Sequence, residues 1–331
     1  MKNDPVALVI NVTLRCPLNC AHCCYSSDMA KRGHLSLDDV KAAISQAAAA
    51  YIFDAVHFVG GDPLLHPELV REAIEHAAGL GLRTGITTSA FWAKSRERAQ
   101  DVVSTLKAVG LSEVTLSYDD AHAQFLKISH IANAVSAAID TGVKARIAVV
   151  IEPDSKITAE SLRTALALDD SVQIYETAIN STGRAADIEA DRAELRKRWE
   201  YAYRGPCTSV LRNFQVNPEG NVYPCCGVLP HSESMVVGHI REGGLNRAIW
   251  QADDDALLQW IGSEGPVEVL VQTTADDPVP LEREEFDGVC TACDRLYSSI
   301  HLLSQARAFA ERRDKPVKLT TRRRRIATAR G

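Results

Sequence analysis

The chain has 331 residues, enough for about two domains at roughly 150 residues each. Hydrophobic residues make up 46% and charged residues 24%, a globular balance that excludes a disordered chain, a collagen and a small disulfide scaffold. The formal net charge of −6 argues against a general nucleic-acid binder, which carries a basic surplus.

Short apolar runs alternate with helical patterns through the first half. Val6–Val12 reads as a buried strand. Ser36 caps a helix that continues to Ala50, with Asp39 as the capping-box acid. Ala55–Val59 is the second strand and ends in Gly60-Gly61-Asp62-Pro63. Pro67 starts the helix Glu68–Ala78, which Gly79 and Gly81 stop. Leu82–Thr88, Val114–Tyr118, Val143–Ile151 and Val172–Glu176 are further strands. Between them lie helices over Arg96–Val109, Ser129–Thr141 and Thr158–Leu168. Six βα units imply a parallel sheet with right-handed crossovers and a partial (β/α)6 TIM-like barrel. In such folds the loops at the carboxyl ends of the strands build the site.

The second half opens with a charged linker helix over Asp187–Tyr203. Phe214–Val216 and Asn221–Tyr223 form a hairpin around Asn217-Pro218-Glu219-Gly220. Gly244–Trp260 reads as one helix and Pro266–Pro280 as a loop. Cys290 and Cys293 open a last helix from about Asp294 to Arg313. The tail from Lys315, with Arg322–Arg325, reads as a solvated terminus. The expected domains are 1–186 and 187–331. Met1-Lys2-Asn3-Asp4-Pro5 is too polar for a signal peptide, and no run approaches the ~20 apolar residues of a membrane span. The expected location is cytoplasmic, with neither membrane nor nucleic acid as partner.

Nine cysteines fall in three tight clusters, and the odd count does not suit a closed disulfide set. Thiolate–metal chemistry in a reducing compartment fits better. Cys16, Cys20 and Cys23 form a C-x3-C-x2-C triad directly after the first strand. Three thiolates can hold three irons of a [4Fe–4S] cluster and leave one iron open, whereas structural zinc prefers four closed ligands.

The triad resembles the cluster signature of the radical S-adenosylmethionine (SAM) superfamily. The resemblance implies that the open iron binds SAM and that electron transfer yields a 5′-deoxyadenosyl radical. A reducing partner such as flavodoxin or ferredoxin would supply the electron. Gly60-Gly61-Asp62-Pro63 is similar to the family's Gly-Gly-Glu-Pro segment, which contacts the SAM amino group; Asp62 is one methylene shorter than the usual glutamate. By the same resemblance His22 lies near the adenine, and Ser89 and Ser117 meet SAM polar groups. Arg146 faces the SAM carboxylate or forms a salt bridge. Asp119 and His122 contact SAM or substrate, with helix capping the competing role for Asp119.

Cys207, Cys225, Cys290 and Cys293 resemble the ligands of a SPASM/twitch-type domain, a small C-terminal α+β unit with a second, auxiliary [4Fe–4S] cluster. Four thiolates are also what structural zinc takes. Cys226 is left beside a cluster ligand. If strand geometry persists past Tyr223, Cys225 and Cys226 point to opposite faces. Cys226 would then face the cavity as a hydrogen-atom donor, the alternative being an inert buried thiol. Cys24 reads as packing.

The segments 20–27, 116–125, 222–226 and 290–297 look like those of the radical SAM peptide epimerases of epipeptide biosynthesis. Those enzymes remove a Cα hydrogen from an L-residue of a ribosomal peptide, and a cysteine returns one to the opposite face. Cys226 matches that donor. An acidic residue is expected upstream of the hairpin turn, but Asn213 stands there. Competing readings are a radical SAM cross-linking enzyme (thioether or carbon–carbon) and a zinc-stabilised binding module.

Overall fold

The computed structural model describes residues 6–188, 205–227, 232–286 and 288–313. The expected linker helix, apart from Asp187 and Ile188, and the basic tail lie outside the described residues.

The first half runs β1 (Ala7–Asn11), α1 (Leu37–Ala50), β2 (Ala55–Val59), α2 (Pro67–Gly79), β3 (Arg83–Thr88), α3 (Arg96–Ala108), β4 (Glu113–Ser117), α4 (Asp120–Ala123), α5 (Ile128–Thr141), β5 (Lys144–Ile151), α6 (Ala159–Ala165) and β6 (Gln173–Ala178). Its helix boundaries have local causes. Ser36 accepts from the Asp39 N–H at the start of α1, and Gly142 ends α5 with φ at 69°. α6 stops three residues before the expected Leu168, because Ala167 turns left-handed with φ at 50°. β1 to β6 pair in parallel in chain order, which gives the six-strand partial TIM-like barrel.

Strand alternation divides the side chains between two environments. The outer set, including Leu8, Val56, Ile86, Val114, Ile147 and Val149, is buried beneath the helices. The helices cover it with stripes such as Val40, Ala43, Ile44 and Ala47 on α1. The inner set lines an open lumen, and β5 shows the division plainly: Arg146, Ala148 and Val150 are half-buried between fully buried neighbours.

The second half does not stand apart from this sheet. β7 (Asn213–Val216) pairs in parallel with β1, on the edge opposite β2. Antiparallel β8 (Asn221–Tyr223) and β9 (Gly238–His239) extend the sheet to nine strands. The hairpin turn is held by Asn217, whose Oδ1 accepts from the Glu219 and Asn221 N–H groups.

The helices that follow differ from the sequence expectation. Gly244–Trp260 is two helices, α7 (Gly244–Asp254) and α8 (Ala256–Glu264). Asp255 leaves the helical region between them, and its carboxylate caps Leu257 and Leu258 N–H. The expected loop from Pro266 contains α9 (Pro266–Thr273), started by proline at its first position and buried through Val267, Val269 and Leu270. Cys290 and Cys293 do not sit ahead of one continuous helix to Arg313. They lie within α10 (Val289–Ser298), which Ser299 separates from α11 (Ile300–Glu311) by capping Leu302 N–H. Among the described residues, no helix is long and apolar enough to cross a membrane.

Candidate active site

A cavity of about 690 Å³ occupies the lumen. Its upper wall brings together Cys16, Cys20 and Cys23 with Gly60, Gly61 and Ser89, followed by Ser117 and Asp119. Its side wall carries Asn213 and Cys226, which are contributed by the second half.

The triad loop is held by its own backbone and by Arg184. Cys16 Sγ accepts from the Leu18 N–H and Cys23 Sγ from the Ser27 N–H. Arg184, just past β6, clamps the loop from outside. Its backbone N–H donates to Cys23 O, its Nε to Cys20 O at 2.9 Å and its Nη2 to Ser27 O at 2.8 Å. Gly183 makes this approach possible: a Cβ there would lie 2.3 Å from Cys24 O. Sequence reasoning missed Arg184; the available signal was Gly183-Arg184 at the carboxyl end of the sixth strand.

None of the nine cysteines is in a disulfide. Burial pushes the Cys16 and Cys20 thiols up to about 12, so metal ligation is what would deprotonate them. In the second set, burial raises the Cys225 and Cys293 thiols, and nearby Cys207 and Cys290 raise them further. Among the described residues, the only three metal-ligating groups gathered within 4.8 Å are His22, Asp119 and His122. Cys16, Cys20 and Cys23 border one cavity, and Cys293 lies near Cys207, Cys225 and Cys290, so each set gathers the thiolates that an iron–sulfur cluster takes. Anaerobic reconstitution is expected to load about eight irons per chain, and Cys293→Ser about four, by iron and sulfide analysis.

Asp62 is fully buried and behaves as a structural hub. Its carboxylate accepts from Leu64 N–H, Thr88 Oγ1, Ser89 N–H and Ser89 Oγ, the last at 2.8 Å. Thr88 in turn accepts from Trp92 Nε1. Burial raises the Asp62 carboxyl in spite of these donors. Asp62 thus ties the Gly60–Gly61 turn to the end of β3, and it is the turn's backbone and Ser89 that face the lumen. The two glycines make room for the root of the cysteine loop. Gly61 N–H donates to Thr13 O at 2.6 Å, and a Cβ on Gly61 would sit 2.1 Å from Arg15 O.

Asp119 both caps and connects. Its Oδ1 accepts from Ala121 and His122 N–H at the start of α4, from His22 Nε2 at 2.9 Å and from His122 Nδ1 at 2.8 Å. Burial alone would raise this carboxyl, but the histidine hydrogen bonds hold it far below the ordinary range. Asp119 fixes the His22 ring against the triad loop, and both imidazoles border the cavity.

Arg146 takes the salt-bridge alternative, its Nη1 donating to Glu113 Oε1 at 3.0 Å. Register places Arg146 level with Thr115, one inward layer below Ser117 and Ala148. Glu113 and His57 lie one layer lower still. The sequence reading named neither, because residues more than twenty positions apart meet here only through strand register. Burial lowers His57 to about 4. A histidine depressed in the folded state stabilises the fold fully above its unfolded value near 6.5, and that contribution is lost as pH falls through about 4. The span corresponds to on the order of 3 kcal/mol. Urea unfolding at pH 7 and pH 4.5 is expected to show a smaller loss of stability for His57→Gln than for the parent.

Past the end of β8 at Tyr223, Cys226 lines the lumen and Cys225 does not, although both lie near Cys207. Cys225 is packed toward Cys207 and Cys290, while Cys226 lines the lumen with Tyr25 and Asn213. Tyr25, a residue the sequence did not single out, donates through its hydroxyl to Gln215 Oε1 on β7 at 3.1 Å.

Comparison with known proteins agrees with this geometry. Residues 10–152 match the Radical SAM superfamily, and residues 207–269 match SPASM, an iron–sulfur cluster-binding domain. The chain carries a radical SAM domain followed by a SPASM domain. It therefore uses a [4Fe–4S] cluster with SAM, and its SPASM segment carries auxiliary iron–sulfur binding. The SPASM match takes in Cys207, Cys225 and Cys226 and ends before Cys290.

The putative peptide biosynthesis protein YydG of Bacillus subtilis is 20% identical over 309 residues, spanning 92% of this chain and 95% of its own. A PqqA peptide cyclase of Rhodopseudomonas palustris is 27% identical over 75% of this chain and 74% of its own. The crystal structure of BtrN in complex with AdoMet and 2-DOIA covers 81% of this chain and 91% of that one, at 18% identity and a TM-score of 0.46.

Proposed function

We propose that this radical SAM enzyme is a peptide epimerase: it removes a hydrogen atom from a backbone Cα and returns one from Cys226 to the opposite face. The observation that carries the reading is that Cys226 lines the same cavity as Cys16, Cys20 and Cys23 while its neighbour Cys225 belongs with Cys207, Cys290 and Cys293. A peptide substrate is supported by the relatives named for peptide biosynthesis and peptide cyclisation.

In this reading Cys16, Cys20 and Cys23 hold the SAM cluster, and Cys207, Cys225, Cys290 and Cys293 hold the auxiliary one. The loaded cluster and SAM supply a carbon-centred radical able to abstract the substrate hydrogen. Gly60, Gly61, Ser89 and Ser117 would offer polar backbone and hydroxyl groups to SAM, and His22, oriented by Asp119, would serve its adenine. Asp62 acts by fixing the turn. Cys226 gives up the hydrogen atom of its S–H bond, then regains one electron and one proton before the next cycle. The electron comes from a low-potential donor of the flavodoxin or ferredoxin class. The barrel over 1–186 then supplies the radical, and residues 187–331 supply the auxiliary cluster and the hydrogen donor.

The test is turnover in D2O with candidate precursor peptides, followed by mass analysis and chiral amino-acid analysis. Epimerisation adds one deuterium and inverts one residue. The cyclase relatives favour cross-linking as the second reading, and loss of two hydrogens from the product would establish it instead.

A further inference from the structure

A closed barrel fills its interior with layers of branched apolar side chains. The lower lumen here does not. One layer pairs Val9 with His57 and Glu113, and the layer above carries Thr87, Thr115 and Arg146. Gly85 stands between His57 and Glu113 in their layer. A Cβ there would lie 2.4 Å from His57 Nδ1 and 3.0 Å from Glu113 Cγ, so the glycine lets two ionisable side chains share it.

The cavity that contains Cys226 and the triad extends down to this floor and to Arg83. The ends of β4, Glu113 and Ser117, are about 13 Å apart along the strand, a distance an extended peptide covers in about four residues. The floor is electrostatically unbalanced. Arg83 and Arg146 line it with one carboxylate, Glu113, which is hydrogen-bonded to Arg146. Arg146 uses Nη1 for Glu113, while its Nε is buried without a hydrogen-bond partner. Buried polar groups are normally paired, and an orphan costs about 1–3 kcal/mol. Glu113 uses one of the N–H donors of this planar guanidinium, a group whose fork geometry matches carboxylates.

We propose that the lower lumen is a specificity pocket for a carboxylate of the substrate, paired with the Arg146 guanidinium and with Arg83 adding a second positive charge. The carboxylate belongs to an Asp or Glu side chain or to a chain terminus. The pocket deepens the peptide-epimerase reading, since it anchors the chain whose Cα lies beside Cys226.

Binding to the anaerobically reconstituted holoenzyme tests this by ligand-observed NMR titration. The probes are N-acetyl-L-glutamate amide for a side-chain carboxylate, N-acetyl-L-alanine for a terminal one, and N-acetyl-L-glutamine amide as the neutral isostere. At least one acid probe is expected to bind tenfold or more tightly than the isostere. Arg146→Gln removes that preference, and Arg83→Gln, at an exposed position, reduces it. Equal binding of acids and isostere, or a preference unchanged in both variants, overturns the proposal. The readout is binding without turnover, so it stands or falls separately from hydrogen return at Cys226.

Discussion

Cys226→Ala is expected to lower epimer formation by at least a hundredfold while 5′-deoxyadenosine continues to accumulate. The two readouts separate because the residue acts after the substrate hydrogen has been removed. Its side chain borders the lumen and lies outside the four-cysteine set, so the variant retains both iron loadings. Cys225→Ala is expected to give a different result. That residue is packed against Cys207 and Cys290, and its loss removes auxiliary iron and lowers stability with activity. Burial raises the Cys226 thiol to about 11, so at neutral pH the sulfur carries the hydrogen that the donor role needs. The thiol exchanges with solvent, which is why D2O labels the inverted carbon in the parent. Epimer formed at the parental rate by Cys226→Ala would exclude the cysteine as donor.

Gly61→Ala is expected to abolish assembly of the SAM cluster without touching a ligand. A Cβ on this residue would lie 2.1 Å from the carbonyl oxygen of Arg15 and 2.4 Å from its carbonyl carbon. Both are backbone atoms at the root of the cysteine loop, so no side-chain rotation relieves the overlap. Moving the loop also breaks the Gly61 N–H to Thr13 O and Asp62 N–H to Arg15 O hydrogen bonds. The cost is on the order of 3 kcal/mol or more. Gly79→Ala is the matched control, since a Cβ there meets nothing within 4 Å. Iron content and urea midpoints of the two variants measure the contrast; parental values for Gly61→Ala would refute the close-packing account.

The barrel strands were legible because their outer faces are apolar runs separated by capped helices, as at Ser36 and Gly142. The triad was legible because its ligands are local in sequence. Three features were not. The helix break at Asp255 depends on a carboxylate choosing to cap rather than continue, which periodicity does not report. The short apolar stretch Val267–Val271 sits between turn residues and reads as loop until its burial is seen. The polar floor is assembled from β2, β4 and β5, and no local pattern announces that His57, Glu113 and Arg146 share a wall. Asp62 was legible as part of the turn, but its inward engagement with Thr88 and Ser89 follows from the shorter side chain and required the structure.

The pairing of β7 with β1 joins residues about two hundred positions apart: Ala7 lies opposite Asn213 and Ile10 opposite Val216. During synthesis the first strand therefore acquires β2 on one side long before its other edge is covered. Until residues 213–216 emerge, that edge presents unpaired backbone donors and acceptors beside the nascent cysteine loop. Such an edge is a template for misassociation, and closing it is a slow, non-local event. Completion of the barrel is thus tied to arrival of the hairpin that carries Cys225 and Cys226. A chain truncated before Asn213 loses more than its auxiliary ligands, because it leaves an aggregation-prone seam along the strand that leads into the SAM cluster loop.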